Sequence, residues 1–528
     1  MTDIRIFDTT LRDGTQAEGI SLSLEDKIAV ARRLDEFGVH YIEGGWPASN
    51  PKDSDFFAAS ASLRLRTSRL TAFGCTRHKH RRAEDDDNLK SLIAARTPAV
   101  CIFGKTWDFH VREALQAPLD ENLAMIADSV RYLKSHGKEV LFDAEHFFDG
   151  FKASPEYALA AIRAAEAAGA DWIVLCDTNG GTLPDDIVTA VRRVRDTVRL
   201  PLGIHAHNDG GLAVANTLAA VRAGCTMVHG TVNGIGERCG NADLCVIVPN
   251  LQLKMGLRCV APERLQHITD LGRFVSEIAN IVPSPNQPFV GDSAFAHKGG
   301  MHVSAVARNV RSYEHIDPRA VGNARRVLVS ELAGGATLAM KARDLHLPDL
   351  LDHDAKLARR VLNRVKELEH QGYHFEGAEA SFAILVHREA GLFRPYFELS
   401  GFRVIVERES DGTSRTEATI RVKVDGIEEH TAAEGDGPVN ALDLALRKAL
   451  EKFYPGLKDV HLSDYKVRVI NPERGTGAKV RVLVTSRDAK GTWSTLGVSE
   501  NLLEASWIAL CDSVVFKLLR DRVRHKGS

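Results

Sequence analysis

Eight short apolar segments recur through the first half of this chain, with helix-length stretches between them. They fall at residues 4–7, 41–43, 70–73, 100–103, 140–142, 172–175, 202–204 and 227–229. The first intervening helix reads cleanly. Ser23 can cap it, Asp26 lies in its first turn, and Leu24, Ile28, Ala31 and Leu34 form one apolar stripe. Eight strand–helix units in roughly 250 residues predict a (β/α)8 barrel. A doubly wound sheet is the alternative. It wants a glycine-rich dinucleotide turn after the first strand, and Asp8-Thr9-Thr10-Leu11-Arg12-Asp13-Gly14 is not one.

Polar residues follow the C-terminal ends of these strands again and again: Arg12 and Asp13, Glu43, Lys105, Glu145, Thr178, His205 and His207, and Asn233. In a (β/α)8 barrel that rim carries the active site. Within His205-Ala206-His207-Asn208-Asp209 the two histidines stand two residues apart, so a strand would point both to the same side. A His-x-His pair alone also fits two ordinary core or surface histidines. Asp13 on an early loop of the same rim strengthens the metal reading, because strands one and seven are near neighbours in a closed eight-stranded barrel. Two imidazoles and a carboxylate make an open Lewis-acid site with positions left for water or substrate. Such a set admits Zn, Mn, Co or Mg.

Several function classes are excluded by composition. The 528 residues exceed one ordinary domain, and two or three are expected. Net charge is -2, so no basic field recruits nucleic acid or an anionic membrane. No stretch of about 18 apolar residues is present, and the first residues enter a strand rather than a signal peptide. Eight scattered cysteines without a C-x-x-C pair read as reduced thiols of a cytoplasmic protein.

Beyond the barrel the pattern changes. Helices and irregular segments run from about Cys259 to Gly372 and include a Pro-rich break, Val282-Pro283-Ser284-Pro285, and a polar loop from Ala296 to His302. From about Ala380 the chain turns β-rich. Residues 381–386, 403–407 and 419–424 read as strands before a helix at 438–453; residues 466–470, 480–485 and 493–496 read as strands before a helix at 500–519. That is a weak internal repeat and a separate α+β domain. The expected divisions are a barrel over 1–265, a helical linker region over 266–375 and an α+β domain over 376–528.

Other residues carry two readings each. Gly234-Ile235-Gly236-Glu237-Arg238-Cys239-Gly240-Asn241 can be a flexible closing loop, or it can bring Glu237 or Asn241 to a metal as ligand or outer partner. Arg12 can stabilise an oxygen that gains charge, or form a structural ion pair. Glu145 can be a base or base-positioning group, or a surface carboxylate. His302, in a Gly-rich loop outside the barrel, reads on residue grounds as an ordinary loop histidine.

The motifs Asp8–Gly14, His205–Asp209 and Gly234–Asn241, taken in order, resemble the acyl-CoA-dependent 2-oxo acid condensing enzymes of the DRE-TIM metallolyase superfamily, which include isopropylmalate, citramalate and homocitrate synthases. The resemblance runs over nearly the whole chain. Gly435-Asp436-Gly437-Pro438 and Gly497-Val498-Ser499-Glu500 lie in segments that look like the family's allosteric domain. Gly44–Asp53, the Ala296–Ala305 loop and Ser312–Pro318 look most like the citramalate synthase branch. One departure is Asp143, where several of those synthases carry Tyr. The resemblance implies Asp13, His205 and His207 as metal ligands with Asn241 beside them, and Arg12, Glu145, Thr178, His302 and Tyr313 at active-site positions. It implies condensation of acetyl-CoA with a 2-oxo acid, pyruvate first and 2-oxoisovalerate as the alternative, with either Glu145 or His302 taking the proton. It also implies a homodimer and a branched-chain amino acid effector, isoleucine first. A lyase on the barrel alone and a non-catalytic amino-acid sensor are the competing readings. The long C-terminal domain speaks against the lyase, and the intact Arg12, Asp13, Glu145, His205 and His207 set against the sensor.

Overall fold

The computed structural model describes residues 3–60, 63–328, 354–408 and 410–525. The expected linker region over 266–375 therefore includes residues 329–353, which lie outside the described residues. Two compact units are present: one comprises Met1–Phe295 with Ile316–Ala324, the other Ala296–His315 with Arg325–Ser528.

The first unit is a closed barrel of eight parallel strands in sequential order. The strands are β1 (Arg5–Asp8), β2 (Tyr41–Gly45), β3 (Arg69–Cys75), β4 (Ala99–Lys105), β5 (Glu139–Glu145), β6 (Trp172–Asp177), β7 (Leu202–Ala206) and β8 (Met227–Gly230). Every predicted strand is present, and most extend by one to three residues. β8 closes on β1 with Arg5 opposite Met227 and Asp8 opposite Gly230. The seam continues past the strands, where Thr9 N donates to Gly230 O at 2.9 Å and Val232 N donates to the Thr10 hydroxyl at 2.9 Å.

Side-chain alternation divides the barrel's apolar residues into two sets. Outward positions such as Ile6, Ile42, Val100, Phe142, Ile173 and Ile204 join the shell of helices in one large core. Inward positions such as Phe7, Tyr41, Cys101, Leu141, Val174 and Met227 fill the interior. Helix α1 (Leu24–Phe37) forms as its sequence dictates. Ser23 Oγ accepts from Asp26 N, the Asp26 carboxylate accepts from Ser23 N, and Val30, Ala31 and Leu34 are buried.

His40 ties β1 to the loop entering β2: its Nδ1 accepts from Ile6 N at 3.0 Å. Burial, and then nearby Arg5, lower its pKa to about 4. The unfolded chain therefore binds more protons between pH 6.5 and 4, so stability rises with pH through that window and is lost as pH falls through it. His40→Asn, whose Oδ1 can accept the same bond, is expected to flatten this slope in urea midpoints measured between about pH 7 and 4.

The second unit carries two three-stranded antiparallel sheets, Glu398–Arg408 with Ser414–Val424 and Ile427–Gly435, then His461–Val469 with Val480–Asp488 and Gly491–Ser499. A helix follows each, Pro438–Leu450 and Leu502–His525. The repeat is therefore strand–strand–strand–helix twice, with two corrections. Residues 381–386, read as a strand, lie inside the buried helix Glu379–Glu389. The third strand of the first sheet is Ile427–Gly435, which the sequence pattern does not reveal. Among the described residues, no helix is long and apolar enough to cross a membrane.

Candidate active site

The C-terminal ends of the barrel strands enclose a cavity of about 220 Å³. Arg12, Asp13, Glu145, Thr178, His205 and His207 all line it, together with an aromatic wall of Trp46, Phe73 and Phe103. Trp46 meets Phe73 and Phe103 edge to face, with ring centroids 5.7 and 5.8 Å apart.

One corner of the cavity brings Asp13, His205 and His207 together, with one ligand atom from each within 4.8 Å of the others. All three are buried. His205 Nε2 stands 3.2 Å from Asp13 Oδ2, yet among the described residues Asp13 Oδ2 makes no well-aligned hydrogen bond and His207 Nδ1 has no partner. Unpaired buried polar atoms are costly. Here they converge, as ligand atoms aimed at a common point would. Asn241 joins the same corner through a β-bridge to His207, and both polar atoms of its side chain are buried without a partner among the described residues. The donor set fits a divalent cation.

Electrostatics favour the same reading. Burial alone would raise the Asp13 pKa, but the guanidinium of Arg12 and the neighbouring His205 hold it well below the carboxylate range. Burial, then the adjacent His205, lower His207 to about 3, so at neutral pH its ring is uncharged and its lone pair is free.

Arg12 is fixed on three sides. It donates from NH1 to Asp13 Oδ1 at 2.8 Å and from Nε to Glu43 Oε2 at 2.6 Å, and its guanidinium lies 3.8 Å from the centre of the Phe73 ring. Burial pushes Glu43 up to about 7 despite Arg12 beside it. On the opposite wall Glu145 pairs with Lys105. Thr178 Oγ1 accepts from His146 N at 2.9 Å, which links the ends of β5 and β6.

The loop after β8 is pinned rather than loose. Arg238 donates to Asp209 Oδ1 at 2.7 Å, to Asp209 Oδ2 at 3.0 Å and to Thr178 O at 2.7 Å, and Asn208 N donates to Gly240 O at 2.9 Å. Gly240 takes φ +86°, and a Cβ there would fall 2.0 Å from Gly234 O. Gly240→Ala is expected to cost more than about 1–2 kcal/mol, the left-handed penalty alone, with the backbone overlap adding to it. Thermal denaturation with a parallel metal titration checks this, since the displaced loop carries Asn241.

Two residues depart from what their motifs suggest. Asn233 turns away from the mouth, donating to Gly272 O at 2.8 Å and Ser276 Oγ at 3.0 Å. His302 sits on the helix Gly300–Arg308 rather than in a loop. It belongs to the second unit, exposed, and its ring stacks on Tyr313 with centroids 4.2 Å apart. No motif marks His229 or Phe73. Alternation along β8 and β3 is the signal that finds them, since it turns both inward.

Similarity to known proteins extends over nearly the whole chain. Residues 3–277 match the family described as HMGL-like, residues 289–373 the homocitrate synthase post-HMGL domain-like family, and residues 376–518 the LeuA allosteric (dimerisation) domain. Fold and site thus define an acyltransferase barrel joined to an allosteric module. Proteins named (R)-citramalate synthase are similar at full length: 54% identical in Aquifex aeolicus and 54% in Geobacter sulfurreducens, each over 98% of both chains. One from Synechocystis is 51% identical over 98% of this chain and 96% of its own. The chain belongs to the citramalate synthase branch of the isopropylmalate, homocitrate and citramalate synthase family.

Proposed function

We propose that the protein condenses pyruvate, acetyl-CoA and water into (R)-citramalate and CoA. The observation that carries the reaction type is one cavity holding both the Asp13–His205–His207 corner and the fixed Arg12 guanidinium. The choice of pyruvate rests on the full-length relatives.

Asp13, His205 and His207, with Asn241 beside them, would hold a divalent cation, Mn, Mg, Zn or Co. Bound there, it would supply Lewis-acid polarisation of a 2-oxo acid. Arg12, braced by Glu43 and Phe73, meets the negative oxygen that develops when acetyl-CoA loses a methyl proton. Its pairing with two carboxylates holds it in place before charge appears. Glu145 is the barrel's own candidate to take or position that proton. The enolate carbon attacks the keto carbon as the C=O π pair moves onto the keto oxygen, which takes up a proton to become the tertiary hydroxyl, and water then cleaves the thioester to a carboxylate and releases CoA. Thr178, held between the ends of β5 and β6, and the aromatic wall orient the acid.

His302 and Tyr313 are proposed as further active-site residues, with His302 the alternative base. We propose a homodimer in which this segment of one subunit serves the barrel of the other. The LeuA-type domain would sense a branched-chain amino acid, isoleucine first. The protein is proposed to work in the cytoplasm, where its eight free cysteines stay reduced.

A panel of 2-oxo acids assayed for CoA thiol release tests the activity. Pyruvate is expected to give the highest kcat/KM. Faster release with 2-oxoisovalerate would replace the reading with isopropylmalate synthesis. Calorimetry that detects no binding of isoleucine or leucine would refute the effector.

A further inference from the structure

The barrel interior holds a second cluster, two of whose three members the reaction above does not use. On the other edge of the His205 ring, its Nδ1 lies 3.4 Å from Nδ1 of His229 on β8. Asp143 of β5 completes the group, and one ligand atom from each of Asp143, His205 and His229 lies within 4.8 Å of the others. The three are 4%, 5% and 1% exposed. Phe7 lies flat against His229, with ring centroids 3.9 Å apart and planes 8° from parallel, so the plane of that imidazole is fixed.

Two ring nitrogens at 3.4 Å, the long end of hydrogen-bond range, need one proton between them. With none the lone pairs repel, and with two the N–H groups collide. The position of that proton follows from the other edge of His205. Its Nε2 faces Asp13 Oδ2 at 3.2 Å. A ligand nitrogen must present a lone pair, so the proton of neutral His205 belongs on Nδ1. His205 Nδ1 then donates and His229 Nδ1 accepts. The proton of His229 moves to Nε2, an atom without a partner among the described residues.

We infer that His229 is a positioning residue of the metal corner: by accepting from Nδ1 it fixes the tautomer and the orientation of His205. The Phe7 stack holds the acceptor in plane. The Asp143 carboxyl group lies beside both rings. This inference rests on the reading of Asp13, His205 and His207 as ligands.

The test measures affinity for zinc alone, by chelator competition on metal-stripped full-length protein, beside the thermal midpoint of the metal-free form. Asp13→Asn tests the ligand reading by itself, and undiminished binding there would remove it. With that reading intact, His229→Leu deletes the acceptor and is expected to weaken zinc binding about 10- to 100-fold, as removal of an outer partner does, while the metal-free midpoint holds or rises. His229→Asn offers Oδ1 where Nδ1 stood and is expected to recover affinity to within about threefold of wild type. Three results would overturn the inference. His229→Leu could bind zinc as wild type does. Both His229 variants could lose affinity in step with a falling midpoint. Or wild type could bind two equivalents of zinc with the second lost in His229→Leu, which would make the cluster a metal site instead.

Discussion

Asp13→Asn is expected to abolish tight binding of the divalent cation and to lower kcat/KM at least about 10³-fold, or about 4 kcal/mol of transition-state stabilisation. The substitution preserves shape and removes charge. Asp13 is buried between Arg12 and His205, and its carboxylate is held ionised there, which makes it the one anionic member of the cluster. Without it two neutral imidazoles and an amide remain, a poor match for a doubly charged ion. The partly buried guanidinium of Arg12 also loses one of its two carboxylates. Metal content after dialysis and CoA release with saturating substrates measure the two effects. A variant that keeps both its metal and its rate would remove Asp13 from the site.

Arg12→Lys is expected to lower kcat about 10²- to 10³-fold, the scale seen when one preorganised oxyanion donor is lost, while metal content stays near that of wild type. An ammonium keeps the charge. It cannot donate in a fork to Asp13 and Glu43 at once, and it cannot lie flat over Phe73 as the guanidinium does. Glu43 is left buried with its favourable neighbour displaced, and its pKa is expected to rise above about 7. The contrast between the variants separates the roles: metal and rate fall together in Asp13→Asn, and rate alone falls in Arg12→Lys. Steady-state kinetics at saturating metal decides. A variant whose KM rises while kcat holds would make Arg12 a binding residue rather than a stabiliser of developing charge.

Much of the barrel is legible because its strands punctuate themselves. Each is an apolar run, and several close on a polar residue, such as Lys105 after Phe103 and Glu145 after Phe142. Period-2 alternation then predicts His205 and His207 on one face. The second unit hides its strands better. Ser381-Phe382-Ala383-Ile384-Leu385-Val386 is apolar at nearly every position, and a short run of that kind does not distinguish a strand from a buried helix. Burial on all sides, which the residues cannot announce, decides for the helix. Ile427–Gly435 fails in the opposite way. It carries Glu428, Glu429, His430 and Glu434 on a half-exposed edge strand, too polar to read as one. In the site, short motifs mark the charged residues. The residues that hold them in place, Phe73 beneath Arg12 and His229 behind His205, belong to no motif, because a supporting contact depends on which strands become neighbours.

The seam between β1 and β8 has a consequence for synthesis of the protein. Asp13 follows the first strand, His205 and His207 lie on or just past the seventh, and Asn241 comes after the eighth. No shorter stretch of chain contains the cluster, and a nascent polypeptide that has emerged only as far as β6 offers an incoming ion nothing but isolated side chains. Bringing residue 13 to residue 207 closes a long loop, whose entropic cost is repaid only when the remaining strands dock. On the proposed ligand set, metal capture would be a late event, and uptake of the ion would time the moment at which the ring shuts.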